Sequence, residues 1–216
     1  MKLLNGLLEL LFPRKCVFCC KLLAKGEIDC CAACRKIETY QGNCKKLPYV
    51  AGWTAVYTYE DNVREALLRY KFRGKEHYAP TFGKEMAAAI RETFPSEFDL
   101  ITYVPISKKR LRKRGYDQDK LLAEVISKEL NAPMIAALKK VKNNPAQSSI
   151  QKVEARHANV MGVYRATALR EIAGKRILLI DDILTTGATV SECARVLLTA
   201  GAAEVRCTCF ATRREK

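Results

Sequence analysis

The stretch RILLIDDILTTGATV, residues 176–190, constrains the fold of this chain more than any other segment. It begins with a run of apolar residues, which is typical of a central strand in a parallel sheet covered on both faces. Two adjacent aspartates, Asp181 and Asp182, follow directly, and a run of threonine, glycine and alanine then leads into a helix that begins near Val190. The stretch lacks the lysine of a Walker phosphate loop and the spaced glycines of a dinucleotide-binding fingerprint. It therefore predicts a strand, a loop and a helix that differ from both of these nucleotide sites.

The loop between this strand and the helix has the chemistry of an anion site. Its small residues leave backbone N–H groups accessible, the helix dipole favours a negative charge, and Gly187 permits a turn that other residues resist. Ligands of open α/β sheets bind outside the carboxyl ends of the strands, where we expect the two aspartates to lie. An anion cradle beside two hydroxyl-accepting carboxylates fits a sugar phosphate. The alternative is a capped turn with Asp182 in solvent, but two adjacent carboxylates without partners are costly, which favours the site.

The chain after residue 50 alternates between strand-like and helix-like segments, which predicts an α/β fold with a parallel sheet flanked by helices. The predicted strands are GWTAVYTYE, DLITYVPI, RILLI and EVRCTCFAT, and the predicted helices are NVREALLRYKF, PTFGKEMAAAIRETF, YDQDKLLAEVISKEL and TVSECARVLLTAG. Asn62 is the expected cap of the first of these helices. Residues 142–159 are polar and lack an apolar stripe, so they are predicted to form a long loop that acts as a lid. We expect two units: a small module in residues 1–50 and an α/β domain in residues 51–216.

Cysteines dominate the first 50 residues. Seven of the ten cysteines lie between positions 16 and 44, and four of them form two Cys-x-x-Cys pairs, CVFC and CAAC. This spacing lets the thiolates of both pairs contact one tetrahedral zinc ion, so the predicted ligands of a structural zinc site are Cys16, Cys19, Cys31 and Cys34. Redox dithiols and buried thiols are the alternatives, and Cys30 competes with Cys31 for the third ligand position. A four-cysteine site stabilises such a module and leaves no coordination position open for catalysis.

The charge balance indicates anionic ligands. The chain carries 38 Lys and Arg against 23 Asp and Glu, a formal net charge of +15, which favours nucleic acid or phosphorylated small molecules. Six of the seven residues in 108–114 are basic, and this run follows a predicted strand on the same rim as Asp181. A solvated basic turn is the alternative. No apolar stretch is long enough to span a membrane, and the short amphipathic helix predicted at the N-terminus lacks a signal-peptide cleavage site, so we expect a cytoplasmic protein.

Several of these segments resemble known families. ILLIDDILTTGAT is similar to the phosphoribosyl-pyrophosphate (PRPP) signature of type I phosphoribosyltransferases. With the cysteine-rich head, YKFRG at 70–74, VPISKKRLRKRGYDQ at 104–118, and Arg156 with Asn159, the whole chain resembles the ComF family, which joins a zinc ribbon to a phosphoribosyltransferase-like domain. The chain departs from the usual family pattern at three places: Ser107 replaces a proline, Tyr116-Asp117 replaces Phe-Asn, and a lone Cys44 replaces a further cysteine pair.

The resemblance implies a type I phosphoribosyltransferase fold that binds PRPP with Mg²⁺, beside a structural Zn²⁺ in the head. It implies that Asp181 and Asp182 are the catalytic pair on the ribose hydroxyls. The other implied ligand contacts are Thr185, Thr186, Gly187, Ala188 and Thr189 for the 5′-phosphate, Ser107, Lys108 and Lys109 for the pyrophosphate, and Lys71 with Arg73.

The resemblance also implies partners. Family members are associated with DNA uptake in naturally competent bacteria, so single-stranded DNA and other competence proteins, such as the helicase of the ComF operon, are expected partners. No residue identifies an acceptor for the ribosyl group. Two classes of function therefore stay open: a phosphoribosyltransferase with an unknown acceptor, and a non-catalytic adaptor that senses PRPP or binds nucleic acid.

Overall fold

The computed structural model describes residues 13–42, 46–95, 98–142 and 160–213, and its elements are numbered here in chain order. The strands are β1 (Gly52–Thr58), β2 (Leu100–Tyr103), β3 (Leu138–Lys140), β4 (Tyr164–Ala166), β5 (Arg176–Leu184) and β6 (Glu204–Thr212). The α-helices are α1 (Asp61–Phe72), α2 (Ala79–Thr93), α3 (Lys108–Arg114), α4 (Gln118–Leu130), α5 (Leu169–Ile172) and α6 (Ala188–Thr199). Short 3-10 helices lie at Cys34–Lys36 and Glu76–Tyr78.

The main sheet is parallel, as the alternation of strands and helices predicted. Its strands lie in the order β1, β6, β5 and β2, and each neighbouring pair is parallel. The ladder between β2 and β5 stops at Tyr103 opposite Ile180, whereas β5 continues beside β6 to Leu184. The β2 ladder thus ends one residue before Asp181.

The order of the strands creates a switch point beside β5. After β2 the chain passes through α3 and α4 to a segment in which Met134 bridges Ile101, on the outer side of β2. After β5 it passes through α6 to β6, on the opposite side. In open α/β sheets the crevice between two such diverging connections is where ligands bind. The topology therefore favours a ligand site between the carboxyl ends of β2 and β5.

Helices cover both faces of the sheet. Apolar side chains of α1, α2 and α4 pack on one face with Leu178 and Ile180 of β5. Those of α6 and the antiparallel β3–β4 hairpin pack on the other face with Ile177 and Leu179. Because successive residues of a strand point to opposite faces, β5 contributes to both cores, which explains its unbroken apolar run.

One aromatic side chain anchors the cysteine-rich segment in the main core. Phe18 is 1% exposed, and its ring centroid lies 5.7 Å from that of Tyr57 and 6.0 Å from that of Phe82. The guanidinium of Arg69 on α1 donates hydrogen bonds to the backbone carbonyl oxygens of Val17 and Phe18. The packing of this segment is thereby coupled to α1 and α2.

The prediction that Asn62 caps the first helix was wrong, and the basic run 108–114 adopts a structure that was not predicted. Helix α1 begins before Asn62, so this residue lies in the first turn and is not the cap. The basic run 108–114 is helix α3 and not a turn. Ser107 starts it, because the Ser107 hydroxyl oxygen accepts a hydrogen bond from the backbone N–H of Arg110 at 3.3 Å.

The limits of the β5 strand also differ from the prediction. Asp181 and Asp182 lie inside β5, because the strand keeps its pairing with β6 beyond them. The β3–β4 hairpin was not predicted, since each of its strands has only three residues. Because β6 pairs with β5 up to Leu184 and the β2 ladder stops at Ile180, the carboxyl end of β5 is open on the side of β2.

Several predicted features lie outside the described residues. These are the amphipathic N-terminal helix, most of the 142–159 loop, Cys44, Arg156 and Asn159. Within the described ranges, none of the helices combines the length and the apolar character that crossing a membrane requires.

Candidate active site and metal centre

Three buried carboxylates meet near the carboxyl end of β5. Asp119, Asp181 and Asp182 each bring one oxygen within 4.8 Å of the others. Their side chains belong to residues that are 1%, 8% and 3% exposed, respectively. The cluster begins where the β2 ladder ends, which is the crevice favoured by the topology. The aspartate pair that the sequence singled out therefore has a third acidic member.

Strand alternation gives the two adjacent aspartates different surroundings. Asp182 lies two residues after Ile180, so both side chains point to the sheet face that α1, α2 and α4 cover. Asp181 lies two residues after Leu179, so both side chains point to the face that α6 and the β3–β4 hairpin cover. Each aspartate thus takes its neighbours from a different layer of the fold.

Lys71, near the end of α1, pairs with Asp182. Its Nζ lies 2.9 Å from Asp182 Oδ1, and the two side chains are 19% and 4% exposed. Burial lowers the pKa of Lys71, but the carboxylates of Asp182, Asp119 and Asp181 outweigh burial and raise this pKa above its ordinary value. The structure thus brings Lys71 into the predicted site, whereas Arg73 lies beyond the end of α1 and is exposed.

Asp119 enters the cluster from the first turn of α4. Asp117 caps this helix, since its Oδ1 accepts hydrogen bonds from the backbone N–H groups of Asp119 and Lys120. Gln118 Nε2 donates to Asp119 Oδ2 at 2.8 Å, and the Tyr70 hydroxyl donates to the Gln118 carbonyl oxygen at 2.8 Å. Sequence reasoning missed Asp119, because an acidic residue in the first turn of a helix is ordinarily a solvated partner of the helix dipole.

Crowding changes the protonation of these carboxylates. Burial, followed by the charge of Asp182, raises the pKa of Asp181 to about 7. Burial also raises the pKa of Asp119 well above its ordinary value, and Asp182 and Asp181 add to this shift. Asp119 Oδ1 and Asp182 Oδ2 are buried and have no hydrogen-bond partner among the described residues. Such atoms are costly, so the cluster is suited to a cationic or hydroxyl-bearing ligand.

The β3–β4 hairpin adds a cation on the Asp181 side. Lys140 Nζ donates to the Tyr164 hydroxyl at 3.3 Å and lies 5.1 Å from the centroid of that ring. Burial, and then the positive charge of Arg110, lowers the pKa of Lys140 to about 8. Asp181 acts on this pKa in the opposite direction, so the lysine and the aspartate lie within electrostatic range. Lys140 was missed because its hairpin was not predicted.

Helix α6 begins directly after the small-residue loop. Gly187 is its N-cap, with a φ of 76° in the left-handed region that glycine adopts most easily. The Gly187 carbonyl oxygen accepts a hydrogen bond from the backbone N–H of Ser191 at 2.8 Å. A β-carbon at position 187 would lie 2.4 Å from Leu47 Cδ2. The backbone angle therefore favours glycine here, and any larger residue would also require the Leu47 side chain to move.

The threonines of this loop border a small concave surface. Thr185 is exposed, and Thr186 and Thr189 are partly buried. The backbone N–H of Ala188 donates to Thr186 Oγ1 at 3.4 Å. A cavity of about 20 Å³ is bounded by Asp181 and residues 183–190. The loop residues predicted to bind phosphate thus lie together at the N-terminus of α6, next to one of the aspartates.

The predicted pyrophosphate residues follow the carboxyl end of β2. Ser107 is 6% exposed and caps α3, and Lys108 and Lys109 are exposed. Helix α3 has no buried residue, so its positive charge faces solvent. The structure therefore brings Lys71 into contact with the aspartates and leaves Lys108 and Lys109 on the surface.

A larger cavity lies elsewhere on the same edge of the sheet. It has a volume of about 550 Å³ and is bounded by residues 37–42 and by residues 58 and 60–63 at the end of β1. The clustered carboxylates do not line it. Because β6 separates β1 from β5, this cavity is distinct from the carboxylate site.

Four cysteines form a candidate metal centre. The Sγ atoms of Cys16, Cys19, Cys31 and Cys34 lie within 4.8 Å of one another, and those of Cys19 and Cys31 are 3.7 Å apart. Sulfur atoms bound tetrahedrally to zinc at about 2.3 Å lie about 3.8 Å from each other, so this cluster could bind zinc. Cys30 lies outside the cluster, and its thiol donates to the Cys31 carbonyl oxygen at 3.5 Å.

The thiols differ in how easily they become thiolates. Burial raises the pKa of Cys16, but hydrogen bonds from the backbone N–H groups of Cys19, Cys31 and Phe18 outweigh burial and lower this pKa to about 6. Burial raises the pKa of Cys30 to about 12, so this thiol stays protonated. Burial also raises the pKa of Cys19 and Cys34, two members of the cluster, so it is position and not pKa that separates Cys30 from the four clustered cysteines.

Comparison with known proteins identifies the family. The Phosphoribosyl transferase domain family matches residues 121–216. Competence protein ComFC of Bacillus subtilis (strain 168) is 32% identical over 172 residues, which cover 80% of this chain and 68% of that protein. The chain belongs to the ComF family. DNA utilization protein YhgH of Escherichia coli O157:H7 is 26% identical to this ComF-family chain over 202 residues, which cover 88% of this chain and 87% of that protein.

The family assignment agrees with the architecture. This ComF-family chain has the type I phosphoribosyltransferase fold, a parallel sheet flanked by helices, with a cysteine cluster near its N-terminus. Among solved structures, glutamine PRPP amidotransferase from B. subtilis gives a TM-score of 0.44 at 22% identity, over 66% of this chain and 30% of that chain. The family match includes two of the three clustered carboxylates, Asp181 and Asp182, and begins after Asp119.

Proposed function

We propose that this chain binds PRPP in the crevice between β2 and β5 and that it acts in the handling of incoming DNA. One observation carries the first part: a buried aspartate pair is followed by a glycine-capped helix at the switch point of a parallel sheet. The second part is supported by the relatives named for competence and for DNA utilization.

The crevice offers a complement to each part of PRPP. Asp181 and Asp182 would accept hydrogen bonds from the ribose hydroxyls, and the N-terminus of α6 would direct backbone N–H groups at the 5′-phosphate. The loop side chains that would assist are Thr185, Thr186, Gly187, Ala188 and Thr189, and the surface residues nearest the pyrophosphate would be Ser107, Lys108 and Lys109. When PRPP binds with Mg²⁺, the ion would neutralise part of the pyrophosphate charge. The aspartates would also stabilise the positive charge that develops on the ribose when its bond to pyrophosphate breaks.

Calorimetric titration with PRPP, with and without Mg²⁺, tests this proposal. We expect Mg²⁺-dependent binding that is lost in an Asp181→Asn/Asp182→Asn variant, since one hydrogen bond to a charged group contributes about 1.5–3 kcal/mol and the variant weakens two. Asp99→Asn is the matched control. It removes a carboxylate that pairs with Arg176 at the first residue of β5, at the opposite end of that strand. Absence of PRPP binding by the folded wild-type chain would contradict the proposal.

A second candidate function, binding of single-stranded nucleic acid, is favoured by the surface of α3. Arg112 and Lys113 are exposed on this helix, and Phe72 is 65% exposed. The Arg114 guanidinium lies 5.0 Å from the centroid of the Phe72 ring. Exposed aromatic rings beside positive charge bind single strands through base stacking and phosphate contacts.

Fluorescence anisotropy with a labelled oligonucleotide tests this second candidate. In an Arg112→Glu/Lys113→Glu variant we expect weaker binding and a slope of log affinity against log salt that is smaller by about 1.4, because each lost phosphate contact removes about 0.7. Lys120→Glu/Lys128→Glu makes the same charge change on exposed residues of α4 and is the control. An equal loss in both variants would indicate general charge attraction and not a site on α3.

A further inference from the structure

Gln118, the first residue of α4, connects the basic helix α3 with the buried carboxylates. Its Oε1 accepts a hydrogen bond from the Arg114 guanidinium, and its Nε2 donates to Asp119 Oδ2 at 2.8 Å. Gln118 is 4% exposed and Asp119 is 1% exposed, whereas Arg114 is only partly buried. One carboxamide is therefore shared between a cation near the surface and a carboxylate of the buried cluster.

The outer end of this chain of contacts belongs to the candidate surface for single-stranded nucleic acid. The Arg114 guanidinium lies 5.0 Å from the ring centroid of Phe72, which is 65% exposed. Phe72 directly follows Lys71 in α1, and Lys71 Nζ lies 2.9 Å from Asp182 Oδ1. Consecutive residues of one helix thus belong to the surface and to the crevice, so the two candidate sites are close together.

The inner end of the chain fixes one carboxylate beside two others. One oxygen of Asp119 lies within 4.8 Å of an oxygen of Asp181 and of Asp182, and like charges at this distance repel each other. The hydrogen bond from Gln118 Nε2 holds Asp119 in place against this repulsion. The Tyr70 hydroxyl donates to the Gln118 carbonyl oxygen at 2.8 Å, which fixes the backbone from which the carboxamide extends. The position of Asp119 therefore depends on the orientation of the Gln118 side chain.

We propose that Gln118 is a positioning residue through which single-stranded nucleic acid on α3 weakens the binding of PRPP in the crevice. Phosphate is a charged acceptor and binds a guanidinium more strongly than a neutral amide oxygen does, so bound nucleic acid competes with Gln118 for Arg114. The released carboxamide no longer holds Asp119, and the neighbouring aspartate pair loses the arrangement in which it meets the ribose hydroxyls. This inference rests on both proposed binding functions.

Calorimetric titration of the full-length, zinc-loaded chain with PRPP at constant free Mg²⁺, with and without a thymidine oligonucleotide, tests the inference. We expect the dissociation constant of PRPP to rise by about fivefold, the lower end of ordinary coupling between two sites, and then to reach a plateau as the oligonucleotide concentration increases. By reciprocity, PRPP weakens oligonucleotide binding by the same factor. A dissociation constant that rises without a plateau would indicate overlapping sites and would overturn the inference.

Gln118→Met separates the relay from repulsion between two anionic ligands, because it removes both side-chain hydrogen bonds and changes no charge. Without oligonucleotide we expect it to bind PRPP about fivefold more weakly than wild type, and the oligonucleotide to change this affinity by less than about twofold. It should bind the oligonucleotide more tightly, since Arg114 is then released, whereas general loss of structure would weaken both ligands. Gln41→Met, which removes an exposed glutamine bonded to Thr39, is the control and should couple as wild type does.

Tyr70→Phe provides a second variant, with changes in the same directions, if Gln118→Met does not fold. Two results would overturn the inference alone: a wild-type chain that binds both ligands without any effect of one on the other, or a folded Gln118→Met variant that keeps the wild-type coupling. A wild-type chain that fails to bind PRPP or the oligonucleotide by itself contradicts the corresponding proposed function, and with it this inference. The separate titrations therefore distinguish the two kinds of failure.

Discussion

Removal of the metal from the four-cysteine centre is expected to destabilise the whole chain and not only its first 50 residues. Structural zinc contributes about 10–16 kcal/mol to the folding of small zinc modules, which is comparable with the whole stability of a typical protein, about 5–15 kcal/mol. Phe18 transmits the loss, because its ring packs against Tyr57, Phe82 and Phe210 in the main core. Loss of the metal site would free Phe18 and leave a space in that core.

Fluorescence of Trp53, the single tryptophan, reports on this coupling. Trp53 lies on β1 and is 5% exposed, so its signal follows the main sheet. After chelation we expect a melting temperature at least about 10 °C lower, because 1 kcal/mol shifts it by about 2–4 °C in a chain of this size. Metal analysis should give one zinc per chain before chelation.

Two neighbouring cysteines provide a matched pair of variants. Cys31→Ser should lose zinc and show the lowered melting temperature, since Cys31 is in the cluster. Cys30→Ser should keep zinc, because the Cys30 thiol lies outside the cluster and donates to the Cys31 carbonyl oxygen. Loss of zinc in Cys30→Ser with retention in Cys31→Ser would show that the ligand set is wrong.

Replacement of Lys71 by methionine is expected to lower the free energy of unfolding by about 3 kcal/mol, since removing one partner of a buried pair leaves an uncompensated charge. The affected charge is that of Asp182, whose side chain is 4% exposed. Asp119 and Asp181 are close to it and increase the repulsion. Urea unfolding in buffer without divalent cations, followed by Trp53 fluorescence, measures the change.

A double variant and a surface control separate this effect from lost packing. Lys71→Met/Asp182→Asn should recover to within about 1 kcal/mol of wild type, because neither charge is then left buried alone. Lys120→Met removes the lysine of a surface pair with Glu124, at 3.5 Å with 50% and 41% exposure, and should cost less than about 0.5 kcal/mol. Equal costs for Lys71→Met and Lys120→Met would contradict the expected role of the buried pair.

The parts of the fold that were predictable depend on local patterns. The alternation of apolar strands with amphipathic helices was enough to predict the parallel sheet, and two Cys-x-x-Cys pairs were enough to predict the four-cysteine cluster. The DD-ILTTGAT pattern marked the aspartate pair and the loop before α6, because strand, small-residue turn and helix follow one another directly in the chain.

The parts that were not predictable depend on contacts between distant segments. Lys71 and Asp182 are 111 positions apart, and only the packing of α1 against β5 brings them within 2.9 Å. Asp119 looked like an ordinary acidic residue at a helix start, and only the packing of distant segments shows that it is buried, at 1% exposure. Lys140 lies on β3, which pairs with β4 across residues 141–163. Each of these strands has only three residues, which is too few to produce a periodic pattern in the sequence.

By itself the sequence determined the class of fold, the cysteine cluster and the aspartate pair, because each follows from residues that are close in the chain. The tertiary structure decided how many charges meet in the crevice: it added Asp119, paired the already predicted Lys71 with Asp182, and brought Lys140 into electrostatic range. It also decided that Phe18 of the cysteine-rich segment lies in the main core. The physical reason is the same in each case. Burial and charge compensation depend on which helices and strands pack against one another, and a local sequence pattern does not indicate this.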